Sequence, residues 1–169
     1  MNKENKAEVW MRGPIAGVPD LLQPVAHALL QVNEDAQKYT QNLQEDELWI
    51  RPHDLASVAF HLQHICGVID RMFTYADNRG LSEAQFDALT REGKADEQIK
   101  LTALLTALDV QINEAIDRLR RVDPSTLSET RYLGRKRIPT TLIGLLFHAA
   151  EHAQRHIGQL LVTVRCVKE

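Results

Sequence analysis

Apolar residues recur at helical spacing in four long stretches of this chain. Leu22, Val25, Ala26, Leu29, Leu30 and Val32 form the first stripe and predict a helix from about Pro19 to about Leu43. Pro19 suits a first turn, where its missing N–H costs nothing, whereas Pro24 predicts a kink or a restart. The second helix starts near Asp54, a favourable N-cap residue. It carries Val58, Leu62, Ile65, Ile69, Met72 and Phe73 to about Asn78, with Gly80 as its stop. The third runs from about Asp96 to Arg121 on Leu101, Leu104, Leu105, Leu108, Ile112, Ala115, Ile116 and Leu119, and Pro124 ends it. The fourth starts near Pro139-Thr140-Thr141 and continues to about Cys166.

Shorter features fill the gaps. Ser82 followed by Gln85 fits a capping box and predicts a short extra helix over 82–91. Residues 125–138 predict a loop or a small hairpin, and 44–52 a connector with Leu48 and Trp49 tucked in. Residues 1–18, with Gly13, Pro14 and Gly17, read as an irregular arm whose Trp10 and Met11 fold back on the body or onto a partner. Residues 19–169 read as one domain. Four long amphipathic helices of matched length imply an all-α four-helix bundle.

A length of 169 residues fits one core that needs no disulfide. Cys66 and Cys166 are far apart and outside any CxxC pair, so they read as reduced thiols, not as a cysteine-based metal site. A net charge of −3 gives no general reason to expect nucleic-acid binding. With no apolar stretch of membrane length and no signal peptide, the expected location is the cytoplasm.

The chemistry concentrates in His148-Ala-Ala-Glu-His152-Ala-Gln-Arg-His156. Residues four apart lie one turn apart on one helix face, so two such imidazoles can share a metal ion. A helical wheel puts His156 inside the apolar stripe of the fourth helix, His152 on its flank and His148 nearer the edge. Glu151 turns away, as a solvated residue. A third ligand must come from another helix, and the second offers His61 and His64. Periodicity alone favours His61, which lies nearer the centre of that helix's apolar stripe. Asp70 is expected to face solvent, Cys66 to be core, and His27 and His53 to be surface or cap residues. Arg131, Arg135, Lys136 and Arg137 read as a solvated loop, or more sharply as an anion site.

The helix order, the phrase Phe60-His61-Leu62-Gln63-His64-Ile65 and the later His152-xxx-His156-Ile157-Gly158-Gln159 resemble the DinB-like superfamily, which includes the YfiT-like metal-dependent hydrolases. The resemblance covers the chain from about residue 20 to the end. It implies a four-helix bundle with an unusual helix order and a long crossover, often as a homodimer. It also implies a divalent metal, zinc or nickel, held by one histidine of the second helix and two of the fourth. By motif these are His64, His152 and His156. His61, His148 and Gln159 then stand beside the centre, the two histidines as alternative ligands, residues behind the ligands or substrate contacts, and Gln159 as a hydrogen-bond donor near the site or a packing residue. Ile157 departs from the arginine of many relatives. Three imidazoles leave coordination positions open, the pattern of catalytic rather than structural zinc. The resemblance therefore implies a metal-dependent hydrolase, or a transferase using a low-molecular-weight thiol, acting on a small molecule. The alternative is a non-catalytic metal-binding or stress-related bundle.

Overall fold

The computed structural model describes residues 7–168, so residues 1–6 of the expected arm and Glu169 lie outside it. The helices are α1 (Gln23–Thr40), α2 (Val58–Ala76), α3 (Glu83–Arg91), α4 (Leu101–Leu119) and α5 (Leu142–Val167). An antiparallel hairpin of β1 (Thr130–Leu133) and β2 (Ile138–Thr141) precedes α5, with Thr130 opposite Thr141 and Leu133 opposite Ile138. The protein is an all-α four-helix bundle of α1, α2, α4 and α5, with α3 and the hairpin as additions.

The helix ends correct several expectations. Pro24 lies in the first turn of α1, where no kink is needed, and Pro19 instead opens a separate 3-10 turn over Asp20–Leu22. Ser57, not Asp54, caps α2 by accepting from Phe60 N at 3.2 Å. His53 and Asp54 form part of a 3-10 turn with φ of 50° and 60°. The left-handed residue beyond α2 is Asn78, at φ 57°, so Asn takes the stop expected of Gly80. Helix α4 begins five residues later than its polar lead-in suggested. Ser82 and Gln85 do form the capping box of α3. In the arm Val9 is buried, whereas Trp10 and Met11 are 63% and 61% exposed. The arm folds back on α1 through Val9 N to Gln31 at 2.9 Å and Arg12 to Glu34.

Helix α1 packs against α4 and α5, and α2 packs against the same two. Consecutive helices α1 and α2 are therefore diagonal, as are α4 and α5. Cross-helix bonds fix the directions. Gln154 reaches Ala28 O and Lys168 reaches Asn42 O, so α5 runs parallel to α1. His61 pairs with His156 and His64 with His152, so α5 runs antiparallel to α2. Leu104 and Gln111 meet the Gln63–Asp70 side of α2 while Arg118 meets Phe73, so α4 runs parallel to α2.

Parallel neighbours joined in sequence need a connection that travels back the length of the bundle, about 28 Å for a 19-residue helix. Residues 77–100 do this, and α3 is their helical part. The core lies between the four long helices, with Leu29, Leu62, Ile65, Ile69, Leu108, Ile112, Leu146 and Leu160 fully buried. Leu108 is 0% and Val110 50% exposed on the same helix. Replacing Leu108 by Ala is expected to cost about 2–5 kcal/mol of stability. The Val110→Ala change should stay within about 0.5 kcal/mol. Urea unfolding measures both, and equal losses would contradict this placement of α4.

Candidate metal centre

Two helices build the centre, and their antiparallel packing explains which histidines meet. His61 and His64 lie three apart on α2, and His152 and His156 lie four apart on α5, so each pair occupies one face of its helix. The donors of His64, His152 and His156 all lie within 4.8 Å of one another and could hold a metal ion. His64 Nε2 and His152 Nε2 face each other at 3.0 Å. Two imidazoles on one tetrahedral zinc, with bonds of about 2.0–2.1 Å, would hold their nitrogens about 3.3 Å apart, so the cluster needs little adjustment. Ring centroids are 4.5 Å apart for His64 and His156 and 4.7 Å for His152 and His156.

The groups behind the rings decide which nitrogens face the cluster. His64 Nδ1–H donates to Glu92 Oε2 at 2.6 Å, which leaves Nε2 with its lone pair. His156 Nδ1 lies 3.1 Å from His61 Nδ1, and His61 Nε2 lies 3.3 Å from Thr163 Oγ1. One tautomer set serves both contacts and frees His156 Nε2: His156 Nδ1–H donates to His61 Nδ1, and His61 Nε2–H donates to Thr163. Among the described residues His152 Nδ1 is buried without a hydrogen-bond partner.

The structure separates the two candidates on the second helix. His61 is the more deeply buried, 3% exposed, as the wheel implies, but it stands behind His156. His64 is the one grouped with His152 and His156. Burial pushes His61 down to about 4, with His64 adding to the effect. Burial also pushes His156 down to about 4, helped by His64, His152 and His61, and it lowers His152. Neutral imidazoles are the form that binds metal.

His148, with its side chain 45% exposed, pairs with Glu151 at 3.0 Å, and Arg155 also binds Glu151. His148, Glu151 and His152 form a second convergent donor set. Gln159 lines a cavity of about 560 Å³ with Leu55, Ala56, His61, Arg155 and Thr163. His27 Nε2 contacts Gly13 O at 3.0 Å. Asp70 is half-buried and accepts from Gln85 Nε2 at 2.7 Å, so it does not simply face solvent. The Cys66 thiol, pushed up to about 12 by burial, lines a second cavity bounded by α2, α4 and the crossover, with Glu92 in its wall. The basic cluster divides: Arg131 turns inward to donate to Ala76 O at 2.8 Å, while Arg135 stacks over Phe86 and Arg137 over Tyr132.

Glu92 and Arg71 escaped the sequence reading. Glu92 lies just beyond α3, 28 positions from His64, and no local pattern marks it. The one available signal is Gly67 inside an apolar helix, where a glycine calls for a packing reason.

With this geometry in view, the family model described as the DinB superfamily matches residues 28–160. The chain belongs to the DinB superfamily. Comparison with curated proteins finds no match. The bundle with its diagonal helix order and the three-histidine cluster agree with DinB membership, and among the described residues of this DinB protein no helix is long and apolar enough to cross a membrane.

The buried histidines set a pH dependence. A base lowered from about 6.5 to about 4 binds fewer protons folded than unfolded between those values. Stability of the metal-free protein should therefore fall as the pH drops from about 6.5 towards 4 and level off above that window. Urea titrations at several pH values measure the slope, and His61→Gln should flatten it. An unchanged slope in that variant would mean that His61 titrates normally.

Proposed function

We propose that this DinB-superfamily protein holds a divalent metal, zinc or nickel, on His64, His152 and His156 and uses it on a small molecule. The reaction is that of a metal-dependent hydrolase or of a transferase using a low-molecular-weight thiol. The observation that carries the reading is the approach of His64 Nε2 to His152 Nε2, with the donor of His156 inside the same 4.8 Å cluster. Bare imidazole nitrogens facing one another gain nothing from their mutual orientation unless a proton or a cation lies between them.

Three neutral nitrogen donors suit zinc, nickel, copper and iron alike by ligand type. When bound, such a metal supplies Lewis-acid chemistry. The chain's own contributions are the groups that hold two of the three rings from behind. His61 and Thr163 hold His156, Phe60 stacks on His64 at 5.1 Å and 13°, and Glu92 closes the rear of His64. Gln159 and Arg155 at the cavity beside His61 are the candidate substrate contacts. The same reading places the protein in the cytoplasm as a homodimer, with the exposed Phe147 and Val162 of α5 offering apolar surface for a second copy.

One observation favours a non-catalytic metal-binding role. His148 and Glu151 converge with His152, and a donor from that set would close the coordination shell. Metal content by mass spectrometry on untagged protein separates these readings from the absence of a site. About one zinc or nickel per chain, lost in His64→Ala, His152→Ala and His156→Ala but kept in His148→Ala, is expected for the open site. Loss in His148→Ala as well would favour the closed one. A parent that takes up no metal after supplementation would overturn the proposal.

A further inference from the structure

One stripe of α2 has no share in the bundle core. Phe60, Gln63, His64, Gly67 and Arg71 follow helical spacing, and each meets the chain just beyond α3. Glu92 Oε2 accepts from His64 Nδ1 at 2.6 Å, and Glu92 Oε1 accepts from Arg71 Nη1 at 2.7 Å. The side chains of Glu92 and Arg71 are only 7% and 9% exposed. A Cβ on Gly67 would stand on that ion pair, so the carboxylate can lie against the helix only because residue 67 has no side chain. Gly93 takes φ +76°, and a Cβ there would meet Phe60 Cδ2 at 2.9 Å. Gly93 N donates to Gln63 Oε1 at 2.9 Å. Two glycines, a buried arginine and a glutamine thus combine to deliver a single carboxylate to the rear of one histidine.

We infer that Glu92 is the positioning residue of the centre, fixing His64 as the Nδ1–H tautomer, and that metal binding in turn fastens the segment from α3 to Gly93 onto α2. This rests on the three-histidine reading above. Left to water, an imidazole prefers its proton on Nε2, which would block the nitrogen that faces His152. Glu92 reverses that preference through the hydrogen bond at Nδ1. The segment carrying Glu92 has little else to hold it. Helix α3 buries none of its residues. Its other ties are Gln85 to Asp70 and Thr74, at 2.7 and 2.8 Å, and Arg135 over Phe86. A segment held by polar contacts opens at low free energy. A metal on Nε2 makes Nδ1–H a stronger donor to Glu92, and coupling between two such sites is reciprocal.

The test uses the full chain in three forms: wild type, Glu92→Gln, and a double variant carrying Glu92→Ala with Arg71→Met. The double variant removes both buried charges together, so neither is stranded. Imidazole nitrogen shifts of His64 in metal-free protein at pH 8 report the tautomer. Wild type should show Nδ1–H, Glu92→Gln should retain it because the amide oxygen still accepts, and the double variant should move towards Nε2–H. Zinc affinity by chelator competition should fall about 10–100-fold in the double variant, with partial recovery in Glu92→Gln. Hydrogen exchange at the Gly93 amide and in α3 should slow on adding zinc to wild type and respond far less in the double variant. An unchanged His64 tautomer with zinc affinity within about twofold would overturn the inference. If wild type binds no zinc, the metal reading fails by itself, and the tautomer measurement alone still decides whether Glu92 positions His64.

Discussion

Helices α2 and α4 follow one another through a crossover, lie side by side and point the same way. A tight turn can join only antiparallel neighbours, so this arrangement obliges the chain to return along the bundle before α4 begins. The return path is the outer flank of α2. It starts near Asp70 and Thr74, where Gln85 docks, passes Arg71 and His64 at Glu92, and reaches Phe60 and Gln63 at Gly93. The topological requirement and the metal cluster therefore share one helix. The inner face of α2 packs in the core, and the flank that turns His61 and His64 towards α5 adjoins the stripe that receives the crossover, with His64 common to both. The diagonal placement of α4 and α5 needs a second long connector, residues 120–141, which the β1–β2 hairpin occupies.

Electrostatics inside the cluster follow from crowding imidazoles into a half-buried space. Burial raises the cost of protonating a ring, and the neighbouring rings add to it, so His61 and His156 both descend to about 4. A cluster of this kind keeps its lone pairs free at neutral pH, at the expense of leaving polar nitrogens to be satisfied. Two of the three candidate ligands answer that need through groups behind them, Glu92 for His64 and the His61–Thr163 pair for His156. His152 Nδ1 has no such partner among the described residues. Its neighbour Glu151, the nearest carboxylate in sequence, is already engaged by Arg155 and His148.

The readable part of this protein is what periodicity controls. Long apolar stripes of period 3.6 gave the four main helices, and the four-residue spacing of His152 and His156 gave one side of the centre. The capping box at Ser82 was legible because its two partners are three residues apart. Helix ends were less so. Asp54 is as good a cap as Ser57 by residue type, and only the left-handed turn at His53 and Asp54 excludes it. The choice between His61 and His64 shows a deeper limit. The wheel ranks residues by burial, and His61 is the more buried, yet a ligand must stand at the edge of the core where a partner helix can share it. Burial and convergence pull in different directions here, and the family motif, not the wheel, pointed to the histidine whose donor meets those of His152 and His156. The basic run at 131–137 shows the same limit from the opposite side: adjacency in sequence suggested one cluster, but Arg131 turns inward from β1 while Arg135 and Arg137, in the turn that follows, lie over Phe86 and Tyr132.

Glu92 was beyond any local pattern because its partners lie 21 and 28 positions away and because a lone glutamate in a connector looks like solvated surface. What distinguishes it is the cost of its position. A buried carboxylate is tolerated only when paired and hydrogen-bonded. Replacing a buried pair by apolar residues of similar volume is often neutral or stabilising, so stability alone gives weak reason to place Glu92 and Arg71 here. Gly67 adds to that cost, since a glycine in a helix interior loses roughly 1 kcal/mol against alanine. A fold that accepts a buried ion pair and a helix-weakening glycine at the same spot, directly behind a candidate metal ligand, is organised there for the orientation of His64 and not for packing.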